Sequence, residues 1–392
     1  MSHPYEGRRV AIVAAAVGAL GLLLSAVAFS SAPEEAAHAW LTAVAFAVSV
    51  SLGALIFLMT CYAAGSRWPV AVRRITEAVA GGFVPLAVSF VPILLFAGFI
   101  YQWMSGPSGE APRVDEWLEH QRVWLNRPFF AARALFYFAV WATVAFCLRR
   151  WSLAADTAPR ATPDMRAKTL SAGGLPVVGL TLTFAAFDWL MSLDSAWVSS
   201  VFGVYWFSGG FVASLGLIAA LTERGARHGA LCAAITRSHF HALGRLIFSF
   251  SIFWAYIAFF QAMLIQMADK PDEVTFYLDR IDGGWAAVVV LLIVGRFIVP
   301  FVVLLPRRMK ENSAVVSSVG GWIVAMHYVD VYWMVAPKSV GHGPLPGWID
   351  LAALAAVVGS VVAFVAWRLS GKPLLAIGDP HLGEALAYRS PE

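Results

Sequence analysis

The sequence predicts an all-α membrane protein of about ten transmembrane helices, with helices 2–5 and 6–9 forming two four-helix bundles and helices 1 and 10 peripheral. Three observations lead there. Hydrophobic residues make up 59% of the 392-residue chain and charged residues 13%, and the charges lie in short segments between apolar runs, unlike a soluble domain. The runs are about 20 residues long, which is what a helix needs to cross a hydrocarbon core of about 30 Å. No period-2 alternation of a membrane barrel is visible, and lipid offers no partner to a free backbone amide, so helices are the remaining spanning element.

Ten runs meet the length requirement, at residues 10–29, 39–62, 78–101, 129–148, 171–191, 198–221, 243–268, 284–305, 315–335 and 348–367. Most are bounded by Arg, Pro or Gly-containing turns. The first run follows Arg8 and Arg9 and precedes Ser30-Ser31-Ala32. Its apolar part is longer than a secretion-signal core, so it reads as a retained helix. The second to fifth runs give a first bundle over 39–191 and the sixth to ninth a second over 198–335. Residues 368–392 form a C-terminal tail, and no soluble domain interrupts the single membrane unit of 1–392.

Lysine and arginine set the orientation. With a cytoplasmic N-terminus, nineteen of them fall on the inner face, including Arg67, Arg73, Arg74, Arg149, Arg150, Arg307, Arg308 and Arg368. Only six fall outside: Arg113, Arg122, Arg127, Lys270, Arg280 and Lys338. Both termini are then expected on the cytoplasmic side of the membrane. The excess of basic loops accounts for the formal net charge of +4, so no nucleic acid is expected as a partner. Acidic stretches occur in the outer loops, at Glu110, Asp115, Glu116 and Glu119 beside Trp117 and Trp124, and at Asp269, Asp272, Glu273, Asp279 and Asp282. They read as solvated surface or as docking sites for outer-face proteins.

Ionisable groups inside spans carry the functional expectation, because each costs about 2.5–3.5 kcal/mol on insertion scales. They are Asp188, Arg245, Arg296, His327 and Asp330, with Glu77 and Arg133 near helix ends. His327 and Asp330 are three residues apart and share a helix face. At 1.5 Å per residue they lie roughly 18 and 22 Å into an outward-running ninth helix, and Asp188 reaches a similar depth in the fifth. The three are expected to converge in the outer half as a proton relay, with a neutral histidine between two carboxylates. Glu77, Arg245 and Arg296, bridged through Tyr256, Gln261 and Ser208, would extend a path to the inner face. Polar contacts that merely hold a bundle together look the same in sequence. The fifth and ninth helices both end on an aspartate among aromatics, Phe187-Asp188-Trp189 and Val329-Asp330-Val331-Tyr332-Trp333, which points to an internal repeat four helices long.

Other chemistries lack their signatures. Cys61, Cys147 and Cys232 are isolated, without the spacing of an iron–sulfur, zinc or disulfide site. His327 is the only histidine deep in a predicted span, so no bis-histidine haem is expected, and His239 and His241, two apart, point to different helix faces. No P-loop, nucleophile elbow or HExxH occurs. Trp40, Trp68, Trp103, Trp151, Trp285, Trp348 and Trp367 fit an interfacial belt. Trp189, Trp197, Trp206, Trp254, Trp322 and Trp333 fit either packing or the lining of a quinone-sized cavity.

A family resemblance enters at Phe187-Asp188-Trp189-Leu190-Met191-Ser192-Leu193-Asp194, followed by Trp197 and Phe202-Gly203-Val204-Tyr205. Further matches are Phe253-Trp254-Ala255-Tyr256-Ile257-Ala258-Phe259 with Gln261, Pro300-Phe301 to Leu304-Leu305 and Lys310, Asp330-Val331-Tyr332-Trp333 with Pro337, and Asp379-Pro380-His381-Leu382 with Glu384. From about residue 175 onward the chain resembles the NrfD-like, polysulfide-reductase-type membrane subunits, in particular the smaller such subunit of bacterial alternative complex III. The first four helices match in layout only. The resemblance implies a subunit of a respiratory or photosynthetic quinol:cytochrome c oxidoreductase, with no redox cofactor of its own. It implies partners that carry haem and iron–sulfur centres: a multihaem cytochrome c subunit, an iron–sulfur protein and a larger NrfD-like subunit. Membrane lipids are expected around the chain, a quinone is compatible with it, and the role is proton conduction or scaffolding. Two other readings stay open: a secondary transporter with a buried polar solute site, and a purely structural membrane anchor. A transporter predicts Gly or Pro breaks at equivalent positions of both halves, and Pro85 and Pro92 in the third helix have no counterparts in the seventh.

Overall fold

The computed structural model describes residues 7–104, 122–157, 164–194, 197–227, 229, 231, 235–269, 271–339 and 343–390. Among the predicted features, Glu110, Arg113, Asp115, Glu116, Trp117, Glu119, Arg160, Cys232, Lys270 and the side chain of Asp272 lie outside this set.

Among the described residues, ten helices are long and apolar enough to span a bilayer: α1 (Arg8–Ser31), α2 (Pro33–Ala63), α3 (Trp68–Leu95), α4 (Arg127–Thr157), α5 (Met165–Leu193), α6 (Phe202–Arg227), α7 (Arg237–Ala268), α8 (Trp285–Leu304), α9 (Ser313–Lys338) and α10 (Trp348–Leu369). Several run beyond the apolar stretches. The α4 helix continues nine residues past position 148 with Arg149 and Arg150, because a helix keeps its backbone bonds wherever its side chains can reach water. Local chemistry sets the ends. Asn312 caps α9 by accepting from Ala314 and Val315 N–H, and Asp164 caps α5 by accepting from Arg166 N–H. The Lys310 ammonium donates to the carbonyls of Leu304 (2.7 Å) and Leu305 (2.9 Å), closing the end of α8.

Helices α2 to α5 pack around one another, as do α6 to α9, and the two groups meet chiefly along α2 and α6. Helix α10 lies against α2, and α1 against α10. Small residues make the close crossings. A Cβ built on Gly53 would sit 2.6 Å from the Gly210 carbonyl oxygen, and one on Gly216 would sit 2.6 Å from that of Gly320, so backbones touch there as in small-residue membrane interfaces. Gly18 packs on Gly359 and Gly21 on Ala356, an antiparallel pairing that brings both ends of the chain to one face, here the terminal face.

The third span is broken at Ala80–Gly82 and again near Phe90. Pro85 and Pro92 supply no N–H to the helix, and Trp40 Nε1 donates to the Ser89 carbonyl beside the second break (2.7 Å). Trp40 is therefore buried and not an interfacial residue, unlike Trp348 and Trp367, which are exposed toward the two ends of α10. In α8, residues Leu292–Ile298 are π-helical. Val299 N–H bonds the Val294 carbonyl, and in that register Pro300, which has no N–H, leaves the Gly295 carbonyl to accept from Trp322 Nε1 (2.6 Å). This wider turn carries Arg296 into the interior.

Candidate functional site

The fold does not gather the three predicted relay residues. It places Asp188 in one bundle, and His327 with Asp330 in the other. Each aspartate faces an arginine from the preceding span, Arg133 of α4 and Arg296 of α8, so the repeat seen in the aspartates extends to their counter-charges.

In the first bundle the pair is saturated. Arg133 Nε and Nη2 donate to Asp188 Oδ2 and Oδ1, both at 2.8 Å. Tyr137, one turn beyond Arg133, donates to Oδ2 (2.8 Å), and Trp124 Nε1 donates to Oδ1 (2.9 Å). The remaining guanidinium nitrogen, Nη1, donates to the Trp124 carbonyl (2.8 Å), and the Trp124 ring lies 4.2 Å from the guanidinium carbon. A bidentate pair in which every guanidinium nitrogen is also bonded is among the strong forms of buried contact.

In the second bundle the pair is loose. Arg296 Nη1 lies 3.4 Å from Asp330 Oδ2, and neither atom has a hydrogen-bond partner. The other carboxylate oxygen accepts from the Tyr205 hydroxyl of α6. Arg296 Nη2 donates to His327 Nδ1 (3.1 Å), and the guanidinium stacks 4.5 Å from the Trp254 ring centre. Ser49 Oγ of α2 lies 2.7 Å from His327 Nε2 and donates its proton to the Phe46 carbonyl (2.8 Å). Because Ser49 has spent its proton and Nδ1 accepts from Arg296, the hydrogen-bond pattern assigns a neutral His327 protonated on Nε2. Gly209 makes room: a Cβ there would meet Arg296 Nη2 at 2.8 Å and His327 Cε1 at 3.1 Å.

The other sequence candidates stand apart. Glu77 is buried on the terminal-face side, where Arg74 donates to it (3.0 Å), to the Ser152 carbonyl (3.0 Å) and to Asp156. These groups share no partner with His327 or Asp330. Arg245 is exposed on α7. Tyr256 is 58% exposed and stacks on Phe260 on the apolar outside of the bundle. Ser208 bonds only its own helix, to the Tyr205 carbonyl (2.8 Å). Sequence reasoning overlooked Tyr205, Ser49, Tyr137 and Trp124. Tyr137 had a signal, since its i, i+4 spacing from Arg133 shares a face, whereas Tyr205 and Ser49 reach the site across helices. His38, just outside the predicted second span, is buried within α2 with Nδ1 bonded to the Glu34 carbonyl (2.9 Å).

Toward the far face, opposite the termini, a cavity of about 40 Å³ lies beside Tyr205, lined also by Phe202, Gln261, Phe276, Tyr277 and Met334. Gln261 Nε2 donates to the Tyr277 hydroxyl (3.2 Å), while Gln261 Oε1 is buried without a partner. Burial pushes Tyr277 up to about 12, so its hydroxyl keeps its proton at neutral pH. Arg280 packs near this end, donating to the Phe276 and Met334 carbonyls (both 2.8 Å). Burial lowers it to about 10, with Asp194 and Asp279 acting in the opposite sense. Lys338 bridges Asp194 (2.7 Å) and Asp279 (2.8 Å) at the surface.

On the terminal face the tail is docked. Asp379 pairs with Arg73 and Glu384 with Arg67, His239 Nε2 donates to the Ala385 carbonyl (3.0 Å), and Tyr388 stacks on Trp68. The tail thereby ties the start of α3 to the start of α7, one from each bundle. Compared with protein-family models and with curated proteins, the chain matches none.

Proposed function

We propose that this chain is the cofactor-free membrane subunit of a quinol-oxidising electron-transfer complex of the alternative complex III type. In this reading Asp330, Arg296 and His327 form its proton-exchanging element, and Arg133–Asp188 is the structural counterpart. The observation that carries the proton role is the contrast between the pairs. A carboxylate held by four donors has nothing left to exchange. Asp330 Oδ2 lies 3.4 Å from an equally unbonded guanidinium nitrogen, so protonation of this carboxyl gives up one long ion-pair contact and not a set of short hydrogen bonds. The complex-subunit role rests on the motifs that carry the family likeness, several of which hold the two polar pairs and the docked tail. The loop-charge bias supports a cytoplasmic terminal face, and a bacterial inner membrane follows from the family likeness alone.

The partner claim is tested by isolating the tagged chain from native membranes in mild detergent and identifying what accompanies it. Multihaem cytochrome c, an iron–sulfur protein and a larger NrfD-like chain are expected. A chain isolated alone, or one showing a stoichiometric Soret band when separated from all partners, would count against it.

A further inference from the structure

We infer that the cavity beside Tyr205 is a water site, and that it connects Asp330 to the far face alone. The inference rests on the proton-exchange reading of Asp330 for its consequence, and on hydrogen-bond accounting for the site itself.

Three polar groups around the cavity have unused capacity. Gln261 Oε1 accepts nothing although buried. The Tyr277 hydroxyl accepts from Gln261 Nε2 (3.2 Å) and keeps a proton to give. The Tyr205 hydroxyl gives its proton to Asp330 and retains free lone pairs. One water completes the set by donating to Gln261 Oε1 and Tyr205 Oη and accepting from Tyr277. A volume of about 40 Å³ exceeds the roughly 10–15 Å³ of probe-occupied space that a single water needs, and two to four polar partners is the usual complement. A buried amide oxygen left without a donor is otherwise destabilising, because it has given up its bonds to water.

The route is one-sided because its other end is closed. From Asp330 toward the terminal face the contacts run through Arg296 and His327 to Ser49, whose proton is committed to the Phe46 carbonyl. A peptide carbonyl cannot relay a proton onward. Beyond it, α2 and α6 are in backbone contact at Gly210 and Ser49, where an added Cβ would meet the Ser49 carbonyl oxygen at 2.5 Å. On the far side, a proton arriving at the water passes to Tyr205 Oη as the Tyr205 hydroxyl proton moves to Asp330 Oδ1, so charge advances and Tyr205 stays neutral. Release runs the other way once the Tyr205 hydroxyl turns to donate to the water and accepts from the protonated carboxyl.

Hydroxyl-radical footprinting of the full chain in its native complex tests the water site without reference to activity, because buried side chains are oxidised only beside bound water. Tyr205 and Met334 should be labelled several-fold faster than Trp141 and Trp189, which are equally buried but distant from the cavity. Gln261→Leu should bring them down to the control rate. Labelling of Tyr205 and Met334 no faster than Trp141 would overturn the site. The connection is tested by proton release in the assembled complex. Tyr205→Phe should slow it several-fold, as Asp330→Asn does. If Asp330→Asn slows release and Tyr205→Phe does not, the route is wrong and the reading of Asp330 stands. If Asp330→Asn has no effect, that reading fails, while footprinting still decides the water.

Discussion

Asp188→Leu should be among the most destabilising single changes in this chain, and its cost should be largely recovered by adding Arg133→Met. Removal of the carboxylate leaves a guanidinium that is 7% exposed with no counter-charge, and breaking a buried pair in this way costs about 3–5 kcal/mol. Replacing both partners with apolar side chains removes that uncompensated charge. What remains is mainly the orphaned Tyr137 hydroxyl, at about 1–3 kcal/mol, since Trp124 is 39% exposed and reaches water. Taking the middle of each range, the double variant should therefore be about 2 kcal/mol more stable than the single one. Reversible unfolding in mixed micelles, followed by tryptophan fluorescence, gives both values. Polar contacts between membrane helices average only about 0.6 kcal/mol in double-mutant cycles. A single-variant cost near that figure, or a double variant no better than the single, would refute the view of this pair as a saturated staple.

Three further outcomes follow from the geometry. Gly216→Val should separate α6 from α9 and cost at least about 1–3 kcal/mol by overpacking, whereas Gly173→Ala, which meets nothing within 4 Å, should not destabilise; yields of folded protein in detergent compare the two. Trp322→Phe should cost about 1–3 kcal/mol by orphaning the Gly295 carbonyl, read as a lowered melting temperature. The tail should loosen in acid: His381, and then Arg67, hold Glu384 below the usual carboxylate value, so its contribution to docking is present above the unfolded value of about 4.3 and is lost as pH falls through the lower folded value. Limited proteolysis of residues 376–390 across that range should show release on the acid side, and a tail equally protected throughout would contradict it.

The number and length of the spans were legible because the bilayer imposes a length and forbids unpaired backbone, leaving little else for the apolar runs to do. The break in α3 was marked by Pro85 and Pro92, but that Trp40 donates beside it was not, because the donor comes from another helix. That His327 and Asp330 share a helix face was legible from their i, i+3 spacing. The separation of Asp188 from them was not. Depth along a helix says how far an aspartate lies from the surface but not which bundle it faces, and Asp188 faces Arg133 because α4 follows its own bundle. Lys310, Asp379 and Glu384, prominent in the sequence, prove to cap a helix end and to dock the tail. Conspicuous motifs in a membrane chain mark joints as readily as they mark chemistry. Arg245 was misplaced because a charged residue near a helix end can snorkel outward as easily as inward, and Tyr256, in the middle of α7, because residue type alone does not say which face of the helix it takes.

The measurement that bears most directly on the central claim is the number of protons moved per quinol oxidised by the whole complex in sealed vesicles. Three forms should be compared: the wild type, Asp330→Asn, and Asp188→Leu with Arg133→Met. The account predicts a lower proton yield for Asp330→Asn in complex that still assembles, because the amide oxygen introduced by that change still accepts from Tyr205 while the exchangeable carboxylate is gone. It predicts an unchanged yield for the assembled double variant. Unaltered proton movement in Asp330→Asn, or loss of assembled complex in place of proton movement, would contradict it and make both pairs structural.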